Sequence, residues 1–144
     1  MSFTTCLLVM LGGAIGTLGR YLMSVATAPY SRAMPWGTII AINTLGSFVI
    51  GFFGTLTLTH GRFPVSENMR LFVMVGICGG YTTFSSFSLQ TLDLLRADAL
   101  GRALANILLS AVLCVGAVSI GHLAASKLNA AAFQIAQNET EEDA

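Results

Sequence analysis

The stretch GGYTTFSS, residues Gly79–Ser86, lies at the centre of an apolar run from about Asn68 to Leu92. Such a run is long enough to cross a bilayer, which takes about 20 apolar residues. Two glycines followed by hydroxyl residues are poor helix formers, so the stretch predicts a break in the spanning helix. Lipid cannot satisfy the backbone groups that a break frees, and a break is tolerated only inside protein or beside a watery cavity. The same residues also fit a glycine-rich packing face, because small residues let helices approach closely.

Three further runs of similar length accompany this one, and together they predict an all-α membrane protein with four transmembrane helices. The 144 residues are 54% hydrophobic and only 10% charged, whereas about 25% of the residues in a soluble domain are charged. The formal net charge is zero, which provides no basic field for nucleic acid. The four runs are roughly Phe3–Ala28, Trp36–Thr59, Asn68–Leu92 and Leu100–Lys127.

The connections between these runs are short, so residues 1–128 are predicted to form one transmembrane domain with no room for a second. Pro29 and Pro35 bracket the first connection, and Gly and Pro in the segment His60–Pro64 predict a turn. The short polar segment Asp93–Asp98 supplies the third connection. Residues 129–144 are polar and carry the charge run Glu139–Asp143, which predicts a disordered, solvated C-terminal tail.

Basic residues are distributed almost evenly between the two sides of the membrane. An excess of Lys and Arg on one side normally fixes the orientation of a membrane protein. Here three basic residues lie on one side of the membrane and four on the other, so the chain could insert in either orientation. Two oppositely oriented copies could then pair about a twofold axis. A single orientation set by the weak bias is the alternative. One side holds Arg62, Arg70 and Lys127, and the other holds Arg20, Arg32, Arg96 and Arg102.

The polar residues predicted at membrane depth are neutral. No carboxylate lies in the first two runs or in the middle of the other two, whereas proton- or cation-coupled transport usually needs an acidic or His residue there. Membrane hydrolases are disfavoured as well, since no base lies near a nucleophile. Amide and hydroxyl donors remain, and they suit an anion that sheds its water. They are Asn43, Thr82, Thr83, Ser85, Ser86, Ser88, Asn106 and Ser110.

Phe84 and Phe87 share one helix face because they are three residues apart. Such a pair commonly serves packing. An aromatic ring also has a positive edge, however, and this edge can hold a small anion without a full positive charge. Conduction needs binding that is weak enough for the ion to leave. Beside Ser85 and Ser86, the two rings therefore favour an anion path over simple packing.

These segments resemble the Fluc (CrcB) fluoride channels, and the resemblance covers all four helices but not the tail. Its most specific part is the run Gly-Gly-x-Thr-Thr-Phe-Ser-x-Phe-Ser at residues 79–88. The other matching segments are Gly12–Gly16 with Arg20-Tyr21, Trp36-Gly37-Thr38 with Asn43, and Gly46-Ser47-Phe48.

The resemblance implies an antiparallel, dual-topology homodimer with two separate pores in the bacterial inner membrane. Each pore would passively export cytoplasmic fluoride and so relieve fluoride toxicity, without any enzymatic activity. The resemblance also implies a structural sodium ion (Na+) on the dimer axis. The backbone carbonyls of Gly79 and Thr82 from both subunits would hold this ion, since hard cations take oxygen ligands.

The resemblance matches Phe84 and Phe87 to the two pore phenylalanines of the family. Asn43 matches the amide of the second helix that donates to fluoride, and Arg20 matches the arginine near the pore entrance. Arg20 could equally be a side chain that extends to the membrane interface.

Four hydroxyl residues are also matched to the fluoride pathway. Ser85, Ser86 and Ser88 match the hydroxyl track beside the rings, and Ser110 matches a hydroxyl of the fourth helix near the pore. Ser86 stands where the family often has Thr, which keeps the hydroxyl. Asn106 stands where relatives carry Tyr or His, so its role is open, although an amide could still donate to an anion.

Two other functions stay open from the residues. One is a small multidrug or cation exporter, which is also a dimer of four-helix chains, although the missing intramembrane carboxylate counts against it. The other is a membrane assembly subunit that transports nothing, in which every glycine and Phe serves packing.

Overall fold

A computed structural model describes residues 2–30, 34, 36–58 and 63–142, with side chains up to residue 130. The described chain is helical throughout, apart from short connections. A π-helical segment, Leu71–Cys78, separates α3 from α4. The α-helices are α1 (Phe3–Thr27), α2 (Gly37–Leu56), α3 (Glu67–Arg70), α4 (Gly79–Tyr81), α5 (Phe84–Arg96) and α6 (Leu100–Glu142).

Four helical stretches are long and apolar enough to cross a membrane, which confirms the predicted four-helix architecture. We call Glu67–Arg96 the third span, and it comprises α3, the π-helical segment, α4 and α5. Helical backbone ends within it at Tyr81 and resumes at Phe84. The other three stretches are Phe3–Thr27, Gly37–Leu56 and Leu100–Ala130.

The helices pack as two close pairs. Helix α1 packs against the π-helical segment and α4, while α2 packs along α6. Glycines bring the first pair together, since a Cβ atom on Gly12 would lie only 2.9 Å from the Cα atom of Gly76. In the second pair, a Cβ on Gly121 of α6 would lie 2.8 Å from the backbone nitrogen of Phe52 in α2. Both pairs therefore meet backbone to backbone, as small residues allow in membrane proteins.

The apolar core within one chain is small, and it lies mainly between α2 and α6. Most large apolar side chains of the described residues stay exposed, which suits a protein covered by lipid or by another chain. Ile42 is the largest apolar side chain that is completely buried. The other buried apolar residues among those described are Trp36, Ile39, Ile40, Cys78, Ala103, Ala117 and Ala125.

The connections and the C-terminal end differ from the sequence prediction. Helix α5 continues through Asp93 to Arg96, because no Gly or Pro interrupts it, and the turn comes at Asp98 with φ 53°. Asp tolerates this left-handed conformation better than most residues. The predicted charges at Arg32 and Arg62, the bracketing Pro35 and part of the turn at His60–Pro64 lie outside the described residues.

Helix α6 does not end near Lys127, and its backbone is helical to Glu142. Residues 129–142 were predicted to be disordered because they are polar. They contain no Gly or Pro and are rich in Ala, Gln and Glu, which favour helix. The backbone of these residues is helical as far as Glu142, and the division into a channel domain and a disordered tail stays a prediction.

Candidate functional site

Two residues with extended backbone, Thr82 and Thr83, separate α4 from α5, and we call them the interruption. Their φ and ψ angles are −78° and 157° for Thr82, and −152° and 112° for Thr83. The Thr83 hydroxyl accepts a hydrogen bond from the Ser86 N–H at 3.2 Å and so caps the start of α5. The hydroxyl residues that predicted poor helix thus serve as a helix start.

Asn43 of α2 holds the backbone of the interruption from both sides. Its amide nitrogen donates to the Thr83 carbonyl at 3.0 Å, and its amide oxygen accepts the Thr83 N–H at 2.8 Å. This pair of bonds satisfies both backbone groups of a residue that is 6% exposed. Asn43, expected only as an anion donor, is therefore also a clamp between α2 and the third span.

The interruption takes two carbonyls out of the helical hydrogen-bond pattern. In a continuous helix, the Gly79 and Thr82 carbonyls would accept from the N–H groups four residues later. The Thr83 N–H donates to Asn43 instead, and the Ser86 N–H donates to the Thr83 hydroxyl. The Gly79 and Thr82 carbonyls thus lose their helical partners, and they are oxygen ligands of the kind that a hard cation takes. These are the two carbonyls that the sequence resemblance assigned to Na+.

The rings of Phe84 and Phe87 lie together at the start of α5. Their centroids are 5.2 Å apart, and the ring planes are tilted by 46°. Phe84 is 77% exposed, which is unusual for so large an apolar side chain, while Phe87 is half-buried. The predicted pairing on one helix face is therefore present, and most of the Phe84 ring lies uncovered on the surface of the chain.

Three hydroxyls gather at the start of α5. The Thr83 hydroxyl lies 3.1 Å from those of both Ser85 and Ser86, and it donates to the Ser86 oxygen. The Ser88 hydroxyl instead donates to the Phe84 carbonyl within its own helix at 2.9 Å. Ser85 and Ser86 thus form a cluster, while the hydrogen of Ser88 is already engaged.

Ser110 belongs to a buried polar network between α5 and α6. The Asn106 amide donates to the Thr91 hydroxyl at 2.9 Å, and the Ser110 hydroxyl donates to the Asn106 oxygen at 3.5 Å. Asn106 is 1% exposed. Thr91 was not predicted to be functional, although its position four residues after Phe87 places it on the same face of α5.

The structure gives two arginines different settings. The guanidinium of Arg20, the predicted pore-entrance residue, makes no hydrogen bond to a described residue, and its side chain is half-buried on α1. Arg70 was not predicted to be functional. Its Nη1 atom donates to the Gly54 carbonyl, the Thr57 carbonyl and the Thr57 hydroxyl at 2.8–3.0 Å. Arg70 therefore binds the C-terminal end of α2, where a cation is favoured.

A cavity of about 340 Å³ lies beside the interruption. It brings together Asn43, Gly79, Thr82 and Phe84 from the predicted set. Neutral polar groups and apolar groups share its wall, and no charged residue is among its described lining. The predicted residues that do not line it are Arg20, Ser85, Ser86, Phe87, Ser88 and Ser110.

The fold and this site define a multi-pass, four-helix membrane protein with a neutral polar cavity beside an irregular segment of its third span. The sequence model of the family described as CrcB-like protein, Camphor Resistance (CrcB), matches residues 7–122. The chain belongs to this family. Family membership and the four candidate spans make it a multi-pass protein of the bacterial inner membrane.

Similar proteins from several bacteria are named fluoride-specific ion channel FluC. The one from Gluconobacter oxydans is 71% identical over 144 residues, which is 100% of each chain. The one from Methylobacterium radiotolerans is 66% identical over 143 residues, 99% of each chain. A third, from Opitutus terrae, is 53% identical over 124 residues, 85% of this chain and 93% of the relative.

Proposed function

We propose that the chain is a passive fluoride-selective channel that exports cytoplasmic fluoride and relieves fluoride toxicity. The names of three relatives that are 71%, 66% and 53% identical to the chain support this function. The observation that carries it is the interruption, where Asn43 holds the backbone while hydroxyls and a ring pair gather beside a neutral cavity. A small multidrug or cation exporter is not favoured, since those relatives are named for fluoride.

Fluoride is small and strongly hydrated, so its path must replace water with fixed donors. Even a carboxylate-sized ion faces a Born cost on the order of 20 kcal/mol at a dielectric constant near 4. The Asn43 amide has two N–H groups, and one of them serves the Thr83 carbonyl. Ser86 accepts from Thr83 and keeps its own hydroxyl hydrogen. Asn43 and Ser86 are therefore the proposed donors closest to the interruption.

The rings of Phe84 and Phe87 are proposed to hold fluoride by their positive edges. This contact is weaker than an ion pair, which lets the ion leave. Chloride is larger and a weaker acceptor, so a tight set of donors would fit it poorly. Ser85, Ser88 and Ser110 are proposed to extend the path along α5 and α6.

The interruption is further proposed to be a break at membrane depth, covered by a second, antiparallel copy of the chain. Backbone groups without helical partners must be covered by protein or water in a bilayer. The surface around the interruption is open in one chain, since Gly79 is exposed and a Cβ there would meet nothing nearer than 3.9 Å. The exposed Phe84 ring lies at the same place and would contact the partner copy.

Na+ fits the same arrangement. The Gly79 and Thr82 carbonyls, from both copies, would hold it, and the ion would supply a structural link between the two third spans. Arg20 is proposed to lie near the pore entrance, where it raises the local concentration of anions.

The experiment that tests the function is fluoride efflux from proteoliposomes, followed with a fluoride electrode. Wild-type protein should release fluoride passively, and Phe84→Ile should abolish release because the aliphatic side chain has no positive edge. Phe3→Ile is the matched control, since Phe3 is 79% exposed and Phe84 is 77% exposed. Folded, dimeric wild-type protein that releases no fluoride would contradict the proposed function and favour an assembly role.

A further inference from the structure

A second cavity, of about 510 Å³, lies between α2, the third span and α6. It differs from the cavity at the interruption because two basic side chains, Arg70 and His122, line it. Thr55 and Ser119 add hydroxyls to the same wall, and the described lining contains no Asp or Glu. Its polar chemistry therefore suits an anion.

The charge in this cavity is fixed in place. Arg70 uses only its Nη1 atom to bind the end of α2, and a guanidinium has five N–H donors in total. The donors on Nε and Nη2 make no hydrogen bond to another described residue. A cation held by three bonds keeps its position without a further loss of side-chain freedom when an anion binds.

His122 is held on the opposite wall. Its Nδ1 atom lies 2.8 Å from the Thr55 hydroxyl, and the Thr55 carbonyl accepts from the Asn129 amide at 3.0 Å. When the hydroxyl donates to Nδ1, the Nε2 atom of a neutral ring carries the hydrogen and becomes a donor. His122 thus adds a second anchored donor from α6.

The two cavities adjoin each other. Ile50 and Met74 line both of them, and the methyl carbon of Met74 would lie 3.0 Å from a Cβ on Gly54. Met74 is unbranched and flexible, so its side chain can shift between the cavities. Ile50 and Met74 therefore lie at the boundary between the cavity at Arg70 and the cavity beside the interruption.

We propose that Arg70 and His122 form an outer binding site for a small inorganic anion, which collects fluoride before it reaches the interruption. This inference rests on the proposed function. A cavity of about 510 Å³ has room for an ion together with its water, so the site concentrates anions while selection takes place at the neutral donors. Arg70 rather than Arg20 then supplies the charge that acts on this cavity, because only Arg70 lines it.

The test is the fluoride dependence of efflux from proteoliposomes, for wild type and three variants. Arg70→Gln removes the charge but keeps a donor for the end of α2, and it should lower the rate about tenfold at low fluoride. At saturating fluoride the rate should stay within about twofold of wild type, because a collecting site affects occupancy. Arg102→Gln is the control, since it removes an equal charge from an exposed residue in the first turn of α6.

The third variant, His122→Asp, changes the other basic residue of the cavity and places a negative charge there at an exposed position. It should also lower the low-fluoride rate about tenfold, and it decides the question alone if Arg70→Gln does not fold. Low-fluoride rates equal to that of Arg102→Gln for every folded variant would overturn the site. Absence of efflux from wild type would instead contradict the proposed function, so the two failures are distinguishable.

Discussion

The two halves of the third span have opposite chemistry. The first half, from Leu71 to Tyr81, has no hydroxyl or amide outside its final Tyr and packs on α1 through glycines. The second half, α5, begins with a hydroxyl cluster and a ring pair and packs on α6. Backbone contact fixes the first half, while hydrogen bonds place the second. The interruption joins a glycine-packed segment to a polar helix start.

The largest effect on stability and efflux is expected from removing the Asn43 clamp, which holds the start of the polar half of the third span. Asn43→Leu leaves the Thr83 N–H and carbonyl without partners, and each such loss costs about 1–3 kcal/mol. We expect a marked loss of thermal stability in detergent and loss of fluoride efflux. Ser47→Ala is the control, because Ser47 lines the same cavity and makes no hydrogen bond to a described residue. Equal melting temperatures for the two variants would contradict the clamp.

The next largest effect is expected on thermal stability, where α1 packs against the first half of the third span. Gly12→Ala places a Cβ 2.9 Å from the Cα of Gly76, and overpacking of this kind costs about 1–3 kcal/mol. Gly13→Ala, one residue later, meets nothing within 4 Å and should leave stability unchanged or slightly raised. Thermal melting of both purified variants compares the two sites. A Gly12→Ala protein as stable as Gly13→Ala would show that α1 does not approach the third span so closely.

A smaller effect separates helix capping from anion transport. Thr83→Val removes the hydroxyl that caps α5 and should cost about 1 kcal/mol of stability. Ser66→Ala removes the comparable cap of α3, where the Ser66 hydroxyl accepts the Met69 N–H at 3.3 Å. We expect only Thr83→Val to slow fluoride efflux, because its hydroxyl also positions Ser86. Similar efflux from both variants would limit Thr83 to a capping role.

The smallest effect distinguishes neighbouring serines. Ser88→Ala removes a hydroxyl whose hydrogen is bonded to the Phe84 carbonyl, and it should change efflux by less than about twofold. Ser86→Ala removes a hydroxyl that keeps its own hydrogen and should slow efflux more. Efflux rates of the two alanine variants at equal protein density make the comparison. The reverse order would make Ser88, rather than Ser86, the main hydroxyl donor on the proposed path.

The four spans and the irregular backbone within Gly79–Ser86 could be predicted from the sequence because both depend on local properties. Apolar length defines a membrane span, and glycines followed by hydroxyl residues are poor helix formers. The clamp by Asn43 could not be predicted, since it joins residues 40 positions apart along the chain. An amide at membrane depth indicates only that a partner must exist.

Other features were missed because no residue pattern near them in the sequence indicates them. The π-helical segment Leu71–Cys78 is an unbroken apolar run that has no polar pattern to indicate its pitch. Arg70 was only counted among the basic residues on one side of the membrane, because its hydrogen-bond acceptors at the end of α2 come close only when the helices pack. The Phe84 and Phe87 pair was predicted from spacing, while the 77% exposure of Phe84 was not.

Paired measurement of fluoride and chloride release from the same wild-type proteoliposomes tests the central claim most directly. Neutral amide, hydroxyl and ring-edge donors at the interruption should pass fluoride and retain chloride, so the account predicts rapid fluoride release with chloride held inside. Chloride release as fast as fluoride release would contradict it.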